Sequence, residues 1–228
     1  MALPNFWSLL GLVFLSKTLN PSRIELGCMM RLDMAFLRSL KENSGWGDPT
    51  TFLIRRKRVE ALVPDTGNRG LAIRHGDLNA WNLLADRNGL SGVIDWDTAR
   101  FVPLPTAIQH PLFLADIPGW LNDVPKGMTF QDDRAYLERA VQGRVDNMNS
   151  PDAKCIPVLL SSSFERQFFE MALRNRAINV EYTTRRMSGV DLDQSVIFEQ
   201  CKEILSRNPL ARENTGVAKL CSRFDFEI

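Results

Sequence analysis

The sequence predicts an α+β fold that is mainly helical, with one small β-hairpin. Apolar residues recur at helical spacing in long segments on either side of residues 71–97, whereas two short apolar strands joined by a turn lie inside that stretch. A chain of 228 residues is long enough to bury one sizeable core. We therefore predict a single domain over residues 1–228, with a helical remainder at 129–207.

Most of the chain before residue 71 is predicted to be helical. A helix is expected over residues 22–42, because Ser22 and Glu25 have the spacing of a capping box. Core-facing residues recur along it every three to four positions: Met29, Leu32, Phe36 and Leu40. Asp48 and Pro49 then fit the cap and first position of a second helix.

Two segments before residue 71 have competing interpretations. The apolar run at residues 6–15 has no basic residue before it, so we expect a buried helix or loop, with a secretory signal as the alternative. The basic run at residues 55–58 lies within the second predicted helix. It could be a localisation signal or a docking patch for anions, but we interpret it as a solvated helix face.

Residues 71–97 gather polar side chains around the predicted hairpin. The strands are residues 83–85 and 91–94, and Asn88 and Gly89 supply the turn between them. Pairing these strands brings Asn82, just before the first, near Asp95, just after the second. A turn containing Asp77 lies five positions before Asn82, so the spacing predicts a shared site.

Magnesium chemistry explains why Asp and Asn side chains would be gathered there. Mg²⁺ takes oxygen ligands and is usually held by one or two carboxylates together with phosphate oxygens and water. Asn82 and Asp95 fit that sparse ligand set. Asp77 would then be free to orient an attacking hydroxyl and accept its proton.

The string HGDLNAWN, followed by VIDWD, resembles the catalytic and metal-binding loops of the aminoglycoside phosphotransferase and choline kinase family. These are small-molecule kinases with a protein-kinase-like fold. The resemblance implies that Asp77 is the catalytic base, that Asn82 and Asp95 bind Mg²⁺, and that His75 supports the loop. Members often have Pro-Gly before the metal-binding Asn, and Trp81 stands there instead, either as a wall for substrate stacking or as a sign of relaxed constraint.

The resemblance covers the C-terminal lobe of such a kinase, and the N-terminal nucleotide-binding lobe is predicted to be missing. No Gly-rich GxGxxG loop and no strand Lys is recognisable before His75, so the remaining ATP-binding residues are unknown. Transfer of the ATP γ-phosphate to a small-molecule hydroxyl is thus the parent reaction, expected to be lost or incomplete here. The alternatives are a non-enzymatic, pseudokinase-type binding module and a metal-dependent hydrolase using Asp77 and Asp95.

The segments after the hairpin carry fewer signals. Residues 100–120 contain four prolines, which favours an ordered loop, and the resemblance makes Asp116, Trp120 and Asp123 candidates for lining the acceptor pocket. Asp97 is expected to face solvent or cap a turn. Helices are predicted after Thr129, after Ser162 and over residues 193–206, whereas the tail to residue 228 has only weak periodicity.

Composition narrows the classes of partner. The 28 basic and 27 acidic residues nearly cancel, which argues against nucleic acid. Four scattered cysteines and two histidines offer little for a structural zinc site, and free thiols favour a cytoplasmic location. The N-terminal apolar run is too short to cross a bilayer, so no membrane partner is expected. The partner predicted is a small-molecule hydroxyl substrate of unassigned identity, and the oligomeric state is left open.

Overall fold

The computed structural model describes residues 14–15, 22–59, 71–87, 89–120, 130–190 and 193–226, and side chains are described from residue 28 onward, apart from those at 151 and 152. The described chain is mainly helical with small antiparallel sheets, as predicted. The capping box at Ser22 and the apolar run at 6–15 fall on residues or side chains outside this set. Within the described ranges no helix is long and apolar enough to cross a membrane.

Contacts between Cα atoms divide the chain into two compact units. The first unit is Met1–Arg23 with Pro64–Phe168, and the second is Ile24–Val63 with Phe169–Ile228. The predicted single domain over residues 1–228 stays a prediction.

The first unit carries both sheets. Strand β1 (Phe14–Leu15) pairs antiparallel with β2 (Leu71–Arg74), which pairs antiparallel with β5 (Arg100–Pro103). The predicted hairpin is confirmed as β3 (Leu83–Asp86) and β4 (Gly89–Val93). Its strands are in register at Leu83 and Val93, with an irregularity after Leu84. Gly89 has the positive φ of +114° that the turn requires, and Asn88 lies outside the described residues.

Helices cover one side of the core of this unit. The short α3 (Leu104–Ala107) follows β5 directly, so the proline-rich segment 100–120 begins with regular structure before it continues as turns. Next come α4 (Gln131–Asp146), α5 (Ile156–Ser161) and the start of α6 (Ser163–Ala172). Buried apolar side chains from these elements form one cluster, which includes Ala72, Val102, Ile108, Val141, Ile156 and Leu160. The cluster fixes β2 and thereby the loop that follows it.

The second unit is helical throughout its described residues. It contains α1 (Ser22–Ser39, counted here from residue 24), α2 (Thr50–Lys57), α7 (Arg176–Arg186), α8 (Gln194–Arg207) and α9 (Thr215–Phe224). Leu32 and Phe36 of the predicted stripe are fully buried. Asp48 accepts a hydrogen bond from the Thr50 amide at 3.0 Å, which confirms it as the cap of α2.

The helix α9 was not expected in a tail of weak periodicity. Asn214 caps it by accepting from the Gly216 amide at 3.0 Å, and Val217 and Leu220 are buried. Gly216 allows a close approach, because a Cβ atom there would lie 2.0 Å from the Leu40 carbonyl oxygen. Burial of one face, rather than a strong repeat in the sequence, therefore decides that this tail is helical.

The prediction of a solvated basic face at residues 55–58 is wrong for its first half. Arg55 is 1% exposed and Arg56 is 8% exposed, whereas Lys57 and Arg58 are exposed. Arg55 donates to Asn179 Oδ1 and Thr183 Oγ1, each at 2.8 Å, and burial lowers its pKa to about 10. Both arginines take partners from distant parts of the second unit, which a local charge pattern cannot reveal.

Candidate functional site

The turn after β2 depends on a glycine. Gly76 has a φ of +85°, and a Cβ atom at this position would lie 2.5 Å from the Thr98 carbonyl oxygen. Thr98 Oγ1 donates to the His75 carbonyl at 2.9 Å, so the same close approach is held by a hydrogen bond. The absence of a side chain at Gly76 therefore lets residues 75–77 and 96–98 pack directly on each other.

The Asn79 side chain shapes the rest of this loop. Its Oδ1 accepts from the Trp81 amide at 2.8 Å and from the Asn82 amide at 3.2 Å. These bonds cap the 3₁₀ turn Ala80–Asn82, whose end is the first position before β3. The backbone that carries Asn82 is thus fixed at both ends, by the cap and by the hairpin.

Ile94 is clamped by both ends of the catalytic loop. His75 Nε2 donates to the Ile94 carbonyl at 2.8 Å, and the Ile94 amide donates to the Asn82 carbonyl at 3.0 Å. The predicted role of His75 as a loop-supporting residue is thereby confirmed. Because Asp95 follows Ile94 directly, the clamp positions the backbone of Asp95 against the loop that contains Asp77 and Asn82.

The Asn82 side chain is oriented by the Asp77 backbone. Its Nδ2 donates to the Asp77 carbonyl at 2.9 Å, and the residue is 8% exposed. A carbonyl only accepts, so the amide nitrogen must face it and Oδ1 is directed away as an acceptor. An amide oxygen presented in this way suits a hard cation.

Asp95 has an unusual backbone conformation. Its φ and ψ are 62° and 59°, the left-handed region that side chains other than glycine seldom adopt. Such strain persists where the surrounding structure enforces it, often at a functional site. Among the described residues, neither the Asp77 nor the Asp95 carboxylate has a hydrogen-bond or ion-pair partner, so both oxygens pairs can accept a ligand.

The structure joins the backbones of the three predicted site residues. Convergence of their oxygens on one ion stays a prediction. The described part of the chain holds no group of three or more His, Cys, Asp or Glu side chains that could bind a metal. A site with one Asn and one Asp cannot form such a group, and it would be completed by phosphate oxygens and water. A hydrolase with paired metals needs the larger group, which counts against that alternative.

Other predicted residues fall into distinct environments. Trp81 is 89% exposed beside Asn82, and Asp97 is exposed, as expected. Asp116 accepts from the Phe130 amide at 3.0 Å and forms an ion pair with Arg134. Its carboxylate is thus engaged within the first unit. Trp120 is 37% exposed, and Asp123 and Thr129 lie outside the described residues.

A buried polar cluster next to this loop was not predicted. His110 Nε2 donates to Glu138 Oε1 at 3.0 Å, and the Ser163 hydroxyl donates to His110 Nδ1 at 3.0 Å. Gln167 Nε2 donates to the His110 carbonyl at 2.9 Å. The members come from three segments far apart in the chain, so no local motif could have revealed them.

The His110 cluster predicts an acid-sensitive stability. Burial lowers the pKa of His110 below its ordinary value, against the opposing effect of Glu138. As the pH falls below about 6.5, the unfolded chain binds a proton that the folded chain does not, so the unfolding free energy should decrease by at most ~1.4 kcal/mol per pH unit. Denaturant titrations of the wild type and of His110→Gln between pH 7.5 and 5 measure this effect.

The difference between the two proteins isolates the histidine, because the carboxylates are common to both. We expect the wild type to lose more stability on acidification than His110→Gln does. Parallel curves over the whole range would contradict the assignment.

Comparison with known proteins agrees with this geometry. Residues 29–104 match the sequence model of the phosphotransferase enzyme family. The matched segment contains Asp77, Asn82 and Asp95 and ends at the start of α3. The resemblance to this family is thereby confirmed over that segment. It is partial, because the helices after residue 104 lie outside it. No match to the chain was found among curated proteins or among solved structures.

Proposed function

We propose that this protein is related to small-molecule phosphotransferases and binds Mg²⁺-ATP through the loops at residues 75–82 and 94–98. The parent reaction is transfer of the ATP γ-phosphate to a hydroxyl of a small molecule. The clamp on Ile94, which seats Asp95 against the loop of Asp77 and Asn82, carries this proposal. The family match over the same residues supports it.

The described residues suggest a separate role for each side chain. Asn82 and Asp95 would hold Mg²⁺, which when bound neutralises the charge that develops on the transferred phosphate. Asp77 is partly exposed and would orient the acceptor hydroxyl and take its proton. His75 and Thr98 hold the two loops together and do not touch the reacting atoms.

Efficient transfer needs more than these three side chains. Phosphoryl transfer depends almost entirely on positioning and electrostatic stabilisation. The Gly-rich loop and strand Lys that usually position the phosphates are not recognisable in this sequence. We therefore propose that Mg²⁺-ATP binding survives in this chain and that transfer by this chain alone is weak or absent. A pseudokinase-type binding module that has lost the nucleotide is the rival function.

Calorimetric titration of Mg²⁺-ATP into the purified protein distinguishes these functions. We expect saturable binding in the wild type and a loss of affinity of at least about tenfold in Asn82→Ala and in Asp95→Ala, because each removes a metal ligand. Asp97→Ala is the matched control, since Asp97 is an exposed carboxylate two residues from Asp95.

Equal affinity in all four proteins would place the nucleotide elsewhere. Absence of binding to the wild type would favour the rival function. A second titration without Mg²⁺ shows whether the affinity depends on the metal, as the proposal requires.

A further inference from the structure

A small cavity lies behind the catalytic loop in the first unit. Its volume is about 30 Å³, enough for one or two water molecules. His75, Gly76 and Leu78 of the catalytic loop form one wall. His110 and Gln167, which belong to the buried polar cluster, form another.

Two buried side chains present hydrogen-bond acceptors to this cavity. His75 and Gln167 are each 1% exposed, and His75 Nδ1 and Gln167 Oε1 have no partner among the described residues. The Ile94 carbonyl accepts from His75 Nε2, so Nε2 carries the hydrogen and Nδ1 of the neutral ring is an acceptor. The His110 carbonyl likewise requires the amide nitrogen of Gln167, so Oε1 is the free acceptor.

Two acceptors cannot satisfy each other, and buried polar atoms in folded proteins almost always have partners. A molecule that donates two hydrogens and fits the cavity satisfies both at once. We propose that this cavity is a water site, in which one water molecule donates to His75 Nδ1 and to Gln167 Oε1.

The water would connect α6 to the catalytic loop. Gln167 is anchored through its amide nitrogen to His110, and His75 holds the Ile94 carbonyl next to Asp95. Gln167 is thus a positioning residue for the loop that carries the site, a consequence that rests on the proposed function. The water site itself does not depend on phosphate transfer.

Nitrogen-15 NMR of the histidine rings in the wild-type protein tests the site directly. We expect His75 to have a hydrogen on Nε2 alone, with the Nδ1 resonance shifted as for a hydrogen-bonded acceptor, and we expect a cross-peak between a slowly exchanging water and the His75 ring. A doubly protonated ring, or an Nδ1 resonance typical of a free acceptor with no water cross-peak, would overturn the proposal.

A double-mutant cycle with Gln167→Met and His75→Gln measures the connection between the two side chains. His75→Gln can still donate to the Ile94 carbonyl but removes the Nδ1 acceptor. The bond from Gln167 to the His110 carbonyl is lost in both backgrounds and cancels in the cycle. We expect a coupling factor of about fivefold in the unfolding equilibrium constant, the value for one ordinary hydrogen bond.

Additive effects of the two substitutions would contradict the bridge. If either variant fails to fold, the wild-type spectrum decides by itself. Because neither measurement uses nucleotide, failure of the water site and failure of Mg²⁺-ATP binding are separately visible.

Discussion

Gly76→Ala is expected to destabilise the protein by about 2–5 kcal/mol. About 1–2 kcal/mol of this comes from placing an alanine at a φ of +85°. The rest comes from overpacking, since the new Cβ atom would lie 2.5 Å from the Thr98 carbonyl oxygen and 2.8 Å from Thr98 Oγ1. Relief of that clash should break the bond from Thr98 to the His75 carbonyl and separate the two loops of the site.

Chemical denaturation and hydrogen exchange at the Ile94 amide measure these effects. Gly47→Ala is the matched control, because its φ of +79° is similar and nothing lies within 4 Å of a Cβ atom there. The control should cost only about 1–2 kcal/mol and leave the exchange of Ile94 unchanged. If both variants lose the same stability, the close approach of Thr98 has no energetic importance.

Arg56→Met is expected to cost about 3–5 kcal/mol, the range for breaking a buried ion pair. Arg56 donates to Asp33 at 3.0 Å and to both oxygens of Glu203 at 2.8 Å. The Asp33 side chain is only 10% exposed, so without Arg56 its carboxylate is left with Arg207 at 3.3 Å. Glu203 is half exposed and can turn to water, so the cost arises mainly at Asp33.

Acidification should partly rescue this variant. Burial raises the pKa of Asp33 above its ordinary value even with Arg56 present, and removing Arg56 removes a charge that lowers this pKa. The folded variant then takes up a proton more readily than the unfolded chain, so its deficit relative to the wild type should shrink as the pH falls through the raised pKa.

Denaturant titrations at several pH values measure both the cost and the rescue. Arg185→Met is the control, because the pair of Arg185 with Glu181 lies on the surface, with side chains 54% and 40% exposed. Its loss should not exceed about 0.5 kcal/mol. A deficit of Arg56→Met that grows on acidification would contradict the assignment to Asp33.

The hairpin and its flanking residues could be predicted because they are encoded locally. An Asn-Gly turn between two short apolar runs sets the pairing of β3 with β4, and this pairing brings Asn82 next to the residues before Asp95. The capping side chain Asp48 was readable for the same reason, since its hydrogen bond reaches only two residues along the chain.

Features that depend on distant partners could not be read in this way. Arg55 is buried because Asn179 and Thr183, more than 120 positions away, supply its acceptors. A run of four basic residues gives no sign of such partners, so exposure was the natural but incorrect expectation. The cluster around His110 is hidden for the same reason.

The tail helix was missed although part of its signal is present. Asn214 is a favourable cap, and Val217 and Leu220 are three positions apart. The apolar stripe is short, however, and becomes decisive only when the second unit covers it. Asp95 shows the opposite case, because its sequence context predicts its role but not its left-handed backbone.

The central claim is that Asn82 and Asp95 direct their oxygens at one divalent ion beside Asp77. A crystal grown with Mn²⁺ and a non-hydrolysable ATP analogue tests it most directly, because anomalous scattering locates the metal. We predict a peak about 2.1 Å from Asn82 Oδ1 and from an Asp95 carboxylate oxygen, with the Asp77 carboxylate close to the γ-phosphate and not bound to the metal. A metal bound elsewhere, or Asn82 and Asp95 side chains that point apart around the nucleotide, would contradict the account.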